Sequence, residues 1–157
     1  MADVCYDEFW LPSDLENMGY IFEYCDYFCK KLFNTNIDKI KFLTDFMRSK
    51  CRHEMEIGHP QLLSQAAEDT VEDYVKVDLN TVNLKKYASN KTYGDYAENQ
   101  FYWVGMIYAY IHYMTKKPSK WIVEKMSIES MLEEYYTGHQ MSEDAYFNKI
   151  KDYISKL

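Results

Sequence analysis

The sequence predicts an all-α, single-domain bundle of about six or seven helices, and three observations predict it. The stretch FYWVGMIYAYIHY, Phe101 to Tyr113, is almost entirely apolar or aromatic and carries no charge. Apolar residues recur at steps of three and four through most of the chain, the rhythm of helices with a buried face. Turn markers are scarce, with 5 glycines and 3 prolines in 157 residues, fewer than a sheet-rich fold needs. That length suits one domain over residues 1–157, with residues 1–12 as an extended lead-in, burying on the order of 70% of its unfolded surface.

The central buried helix is placed near residues 95–115. Ala97, Phe101, Val104, Tyr108, Ile111 and Thr115 form one stripe, and Trp103, Ile107, Tyr110 and Met114 form a second, so neighbours must cover more than one side. Trp103 and Tyr108 are expected in the core. Asp95 with Glu98 reads as a capping box, and Lys116, Lys117 and Pro118 suit the carboxyl end. A membrane span is disfavoured, because the uncharged run Asn99 to Thr115 falls short of the roughly 20 residues required and carries tyrosine hydroxyls in its middle.

The other elements follow in order. Phe9, Trp10 and Leu11 form an apolar anchor before Pro12. Ser13 with Glu16 reads as a capping box opening helix one, whose seam is Leu15, Met18, Phe22, Cys25, Cys29 and Leu32. After a turn at Asn34–Asn36, a second helix carries Ile37, Ile40, Leu43, Met47 and Cys51, with Lys39, Lys41, Arg48, Lys50 and Arg52 as a basic outer face. Glu54 to Gly58 is a connection, and a third helix runs roughly from Gln61 to Lys76. Val77 to Tyr87 is either a short strand or a helical turn, and Ala88 to Gly94 a loop. A short helix opens at Pro118 or Ser119. Ser127 caps another, with Ile128, Met131, Leu132 and Tyr135 inward and Gly138 at a left-handed carboxyl cap. Ser142 opens the last helix, with Phe147, Ile150 and Ile154 inward.

Charge narrows the function. A net charge of −7 argues against a protein that grips nucleic acid, which needs clustered Lys and Arg. Residues 1–30 hold seven acids against Lys30 alone, and Glu68, Asp69, Glu72 and Asp73 make a second acidic face. Such a face suits a partner protein with a basic surface, such as a toxin or a nucleic-acid enzyme. No secretory signal is visible, so the cytoplasm, with reduced thiols, is the expected compartment. Cys25 and Cys29 could supply half a metal site with Cys51, His53 and His59, but the spacing fits no standard zinc pattern, and buried structural thiols are the better reading. No glycine-rich phosphate loop, no cofactor motif and no nucleophile–base pairing is present, so no catalytic residue, metal site or cofactor is assigned.

Three segments carry a resemblance: GHPQLLS at residues 58–64, QFYWVGMIYAY at 100–110, and residues 126–142 with Tyr135, Tyr136 and His139. Together they resemble a family of short bacterial helical proteins encoded beside ADP-ribosyltransferase-like toxins, as antitoxin or accessory partners. The likeness spans roughly residues 55–155 and does not reach the first 50. It implies a non-enzymatic binder that neutralises a partner by direct contact. Two surfaces are candidates for that contact, the acidic face Glu68, Asp69, Glu72 and Asp73, and the aromatic end Tyr135, Tyr136 and His139, with the second favoured. The alternative is a phage or mobile-element inhibitor whose acids mimic a phosphate track, and a further one is an enzyme without a recognisable motif.

Overall fold

The computed structural model describes residues 12–57, 65–89 and 96–157. Among these residues the fold is all-α. Eight α-helices appear: α1 (Pro12–Phe33), α2 (Lys39–Met47), α3 (Lys50–Glu56), α4 (Ala67–Asp73), α5 (Glu98–Thr115), α6 (Ser119–Lys125), α7 (Ile128–Gly138) and α8 (Glu143–Ser155). A π-helical segment, Tyr74–Leu79, continues α4, and a 3-10 segment, Thr81–Tyr87, follows it. The stretch Val77 to Tyr87 is therefore helical, with no strand; one isolated antiparallel bridge joins Ile37 to Ala88. The anchor Phe9, Trp10 and Leu11, the GHPQLLS segment and Asp95 lie outside the described residues.

The helix count exceeds the expected six or seven partly because one expected helix is two. The stripe from Ile37 to Cys51 breaks at Arg48 and Ser49, where Ser49 Oγ accepts from the Arg52 amide at 3.1 Å and so opens α3. Asp78, in the π-helical segment, adds a second cap by accepting from the Cys51 amide at 2.9 Å. The residues from Glu54 to Glu56, read as a connection, belong to α3. Gln65 and Ala66 are not helical, so the helix expected from about Gln61 to Lys76 is not continuous and α4 starts at Ala67; residues 61–64 lie outside the described residues. Helix α1 already includes Pro12, which places Ser13 inside the first turn instead of at the cap.

Helix α5 buries ten of its 18 residues, Trp103 and Tyr108 among them, which requires cover on more than one side. Its amino end is closed by Gln100, whose side-chain oxygen accepts from the Ala97 amide at 2.8 Å; Glu98 is the first helical residue and does not fill the expected capping role. Its carboxyl end turns through Lys116 at φ 61°, with the Lys116 amide donating to the His112 carbonyl at 2.8 Å.

Helix α1 forms the most extensive pairing with α5, and two glycines allow the close approach. A Cβ on Gly105 would stand 2.6 Å from the Met18 carbonyl oxygen and 2.8 Å from Phe22 Cγ, and one on Gly19 would stand 2.7 Å from the Tyr102 ring. The Met18 carbonyl belongs to helical backbone and cannot step aside. Gly105→Ala gains about 1 kcal/mol of helix propensity but forces overpacking that costs about 1–3 kcal/mol or more. A net loss of stability is expected in urea denaturation. A variant as stable as the parent would show that α1 and α5 cross farther apart.

Gly138 plays a related part. It closes α7 without a left-handed φ, so the expected conformational cap is replaced by a packing role: a Cβ there would lie 2.4 Å from Trp103 Cζ2. The caps expected at Ser127 and Ser142 are present, accepting from the Ser130 and Ala145 amides at 3.2 Å each. On α8, Tyr146 and Ile154 are buried, while Phe147 and Ile150 are half-buried against the core.

The expected basic outer face of the second helix is overturned at two positions. Arg52 is 0% and Lys39 6% exposed. Lys39 donates to the Glu23 carbonyl at 2.5 Å, lies 3.6 Å from the Asp26 carboxylate and stacks 4.2 Å above the Phe101 ring. Arg52 Nε donates to Ser119 Oγ at 3.0 Å and sits 3.9 Å from the Glu56 carboxylate, which itself accepts from the Ser119 amide at 2.6 Å. Both cations face inward because their partners, Asp26 and Phe101 on other helices for Lys39, Glu56 of its own helix and Ser119 of α6 for Arg52, compensate their desolvation.

Candidate functional site

A concave surface among the described residues runs along α1, bounded by the start of α4 and the first turn of α5. It is a groove of about 580 Å³, lined by Tyr20, Tyr24, Tyr27 and Phe28, with Glu68 of α4 and Glu98 of α5 also in its lining. The volume falls within the range of ligand clefts, and its lining joins aromatic faces to a few polar groups. The Tyr20 and Tyr24 rings are nearly parallel, 11° apart with centroids at 6.3 Å, and Tyr102 meets Tyr20 edge-on at 5.1 Å. Tyr20 and Tyr27 remain 44% and 59% exposed, an unusual amount of open aromatic surface for one helix face.

The geometry follows from residue spacing. Tyr20, Tyr24 and Tyr27 repeat at four and three, as the buried residues Met18, Phe22 and Cys25 do, but shifted by two positions. At about 100° per residue a two-residue shift is roughly 200°, so the tyrosines occupy the face opposite the seam. The floor is small because Ala66 and Ala67 begin α4, and Asn17 donates to the Gln65 carbonyl at 3.0 Å, holding that start against α1. These tyrosines were not among the expected site residues, although the second stripe is readable in the sequence.

Carboxylates act on the titratable groups at and beside the groove. Burial raises the Glu23 pKa, the charge of Glu98 raises it further, and Lys39 opposes them. The Tyr24 hydroxyl is held above its ordinary value chiefly by the charge of Glu23, with burial and Glu98 adding. The Tyr102 phenol is pushed up to about 12 by burial, then by Glu16, Tyr20 and Glu23.

The acidic face expected on the third helix is largely committed within the chain. Glu68 pairs with Lys31 at 3.1 Å and Glu72 with Lys76 at 2.5 Å, while Asp73 accepts from Gln65 Nε2 at 2.7 Å. Asp69 is exposed, and the other three are half-buried, contrary to the exposure expected of all four. Their like-charge spacing is offset by these local partners.

At the other candidate surface, Tyr135 is half-buried between Trp103, at 6.0 Å and 78°, and the His139 ring, stacked on it at 4.1 Å and 8°. His139 Nδ1 lies 2.5 Å from the Tyr135 carbonyl, and Asn99 donates to the Tyr135 hydroxyl at 2.8 Å. Tyr136 is 55% exposed and His139 is exposed. Three side chains of the first turn of α5 and its approach connect the two surfaces: Glu98 lines the groove, Asn99 holds Tyr135, and Tyr96 donates to Glu133 at 2.6 Å. The aromatic end and the tyrosine groove therefore flank the same helix end.

Cys25, Cys29 and Cys51 are free, buried thiols, and burial pushes their pKa values up, those of Cys29 and Cys51 to about 12. A protonated buried thiol is a poor nucleophile and a poor metal ligand. Among the described residues no three His, Cys, Asp or Glu side chains converge to hold a metal ion, and no helix is long and apolar enough to cross a membrane. His59, weighed above as a ligand, lies outside the described residues. Comparison with known proteins finds no matching family model, no matching curated protein and no matching solved structure.

Proposed function

We propose that the chain is a single helical bundle organised on α5 that acts as a protein-binding inhibitor, neutralising a partner by direct contact in the manner its resemblance to antitoxin-like proteins implies. The observation that supports this reading is the open tyrosine groove on α1. Tyrosine supplies large, rigid contact area with a polar tip, and its exposure on one continuous face is costly to maintain unless something covers it. The groove adjoins the Tyr135, Tyr136 and His139 end through the first turn of α5, so one partner can span both. The carboxylates at the groove, Glu98 above all, favour a partner with a basic surface, and the expected setting is the cytoplasm.

The test places a photo-crosslinking amino acid at position 27 or 136 in an affinity-tagged chain expressed in its native host. A stoichiometric crosslinked partner is expected from both positions. Growth inhibition by that partner, relieved when the chain is co-expressed with it, is the expected second result. Crosslinks from neither position, or a partner whose expression has no effect on growth with or without the chain, would overturn the proposal.

A further inference from the structure

The carboxylates at the groove differ. On the α4 side Glu68 already holds Lys31 at 3.1 Å. At the other end, among the described residues, neither Glu23 nor Glu98 forms an ion pair with its side chain, and the nearby cation Lys39 is buried and held by the Glu23 carbonyl, Asp26 and the Phe101 ring. Among the described residues Glu98 thus stands beside a pair of nearly parallel tyrosine rings without an ion-pair partner, and Glu23, which accepts from the Tyr24 hydroxyl and feels the Lys39 charge, lies next to them.

We propose that the Tyr20–Tyr24 end of the groove, beside Glu98 and with Glu23 next to Tyr24, is a guanidinium pocket that takes an arginine side chain of the partner protein. This deepens the protein-binding function proposed above and rests on it. Charge complementarity names the occupant. A purely apolar segment would strip water from Glu23 and Glu98 without compensation, and an acidic or phosphorylated segment would meet like charge. A cation over tyrosine faces and beside carboxylates gains from both. Arginine fits better than lysine, because its planar guanidinium lies flat on a ring while its fork of N–H donors reaches carboxylate oxygens, and it sheds water more readily than an ammonium. The nearly parallel Tyr20 and Tyr24 rings present the flat face such stacking uses.

The full chain, with its tyrosines isotopically labelled, is titrated with N-acetylarginine amide, N-acetyllysine amide and N-acetylnorleucine amide. The arginine probe is expected to shift the Tyr20 and Tyr24 resonances and to bind about tenfold more tightly than norleucine and about threefold more tightly than lysine. Glu23→Gln with Glu98→Gln is expected to weaken the arginine probe about tenfold with an unchanged Tm, because Glu98 is exposed and Glu23 half-buried. Equal binding of lysine or of norleucine would overturn the pocket. So would silence of all three probes combined with a lowered Tm in Tyr24→Ala, since the chain's own residues would then cover the groove. If a partner crosslinks at position 27 but its affinity is untouched by the two Gln substitutions, the groove binds protein without a guanidinium. If the probe binds while no partner crosslinks, the pocket stands and the inhibitor function falls.

Discussion

Replacing Arg52 by Leu is expected to destabilise the protein by about 3–5 kcal/mol, the penalty typical of breaking a buried pair by removing one partner. The guanidinium is 0% exposed and the Glu56 carboxylate 5% exposed. Burial draws the Arg52 pKa down and the Glu56 charge opposes that, so the buried guanidinium is supported by its partner. Arg52 also links three helices, bonding Ser119 at the start of α6 and touching Met18 of α1 from its own place in α3. Without it, Glu56 is left as an uncompensated buried charge. Adding Glu56→Gln should therefore recover more than half of the loss, because the neutral amide still accepts from the Ser119 amide. Urea denaturation of both single variants and the double variant closes the cycle. Additive effects would show that Arg52 and Glu56 are not coupled.

Alkaline pH is expected to unfold the protein cooperatively between about pH 9 and pH 12, and the sign follows from proton counts. The Cys29 and Cys51 thiols are pushed by burial from 9.0 to about 12. Above pH 9 the unfolded chain has released these protons while the folded chain keeps them, so stability falls with rising pH until the folded thiols themselves titrate. A rise from 9.0 to about 12 corresponds to roughly 4 kcal/mol per thiol at the upper end of that window. Two such thiols rival the total stability of about 5–15 kcal/mol usual for a domain. Burial shifts Cys25 and the phenols of Tyr74, Tyr87, Tyr108 and Tyr146 in the same direction. Tyrosinate absorbance and helical circular dichroism should therefore change together, and Cys29→Ala with Cys51→Ala should move the midpoint to higher pH. Smooth tyrosine titration with the helical signal intact would contradict the burial of these groups.

Local order is legible in the residue pattern: most of the helical segments, and the apolar face of each. Helix α5 is legible because an uncharged aromatic run leaves no solvent face, and α7 and α8 are legible because Ser127 and Ser142 cap amides three residues ahead. The Tyr20, Tyr24 and Tyr27 stripe was equally present in the spacing. Tertiary structure decided what meets each face. Lys39 and Arg52 read as solvated charges until Phe101, Asp26, Ser119 and Glu56 close around them, and of these only Glu56 is near in sequence to the cation it meets. Glu68 reads as free acid until Lys31 of α1 arrives beside it, and Gly138 reads as a turn residue until Trp103 fills the space a Cβ would need. The stripe of tyrosines becomes a groove because Ala66, Ala67 and Glu68 at the start of α4 and Glu98 of α5 join it as lining. Periodicity orients side chains about their own helix axis, whereas burial, pairing and concavity depend on how separate axes are brought together by long-range packing.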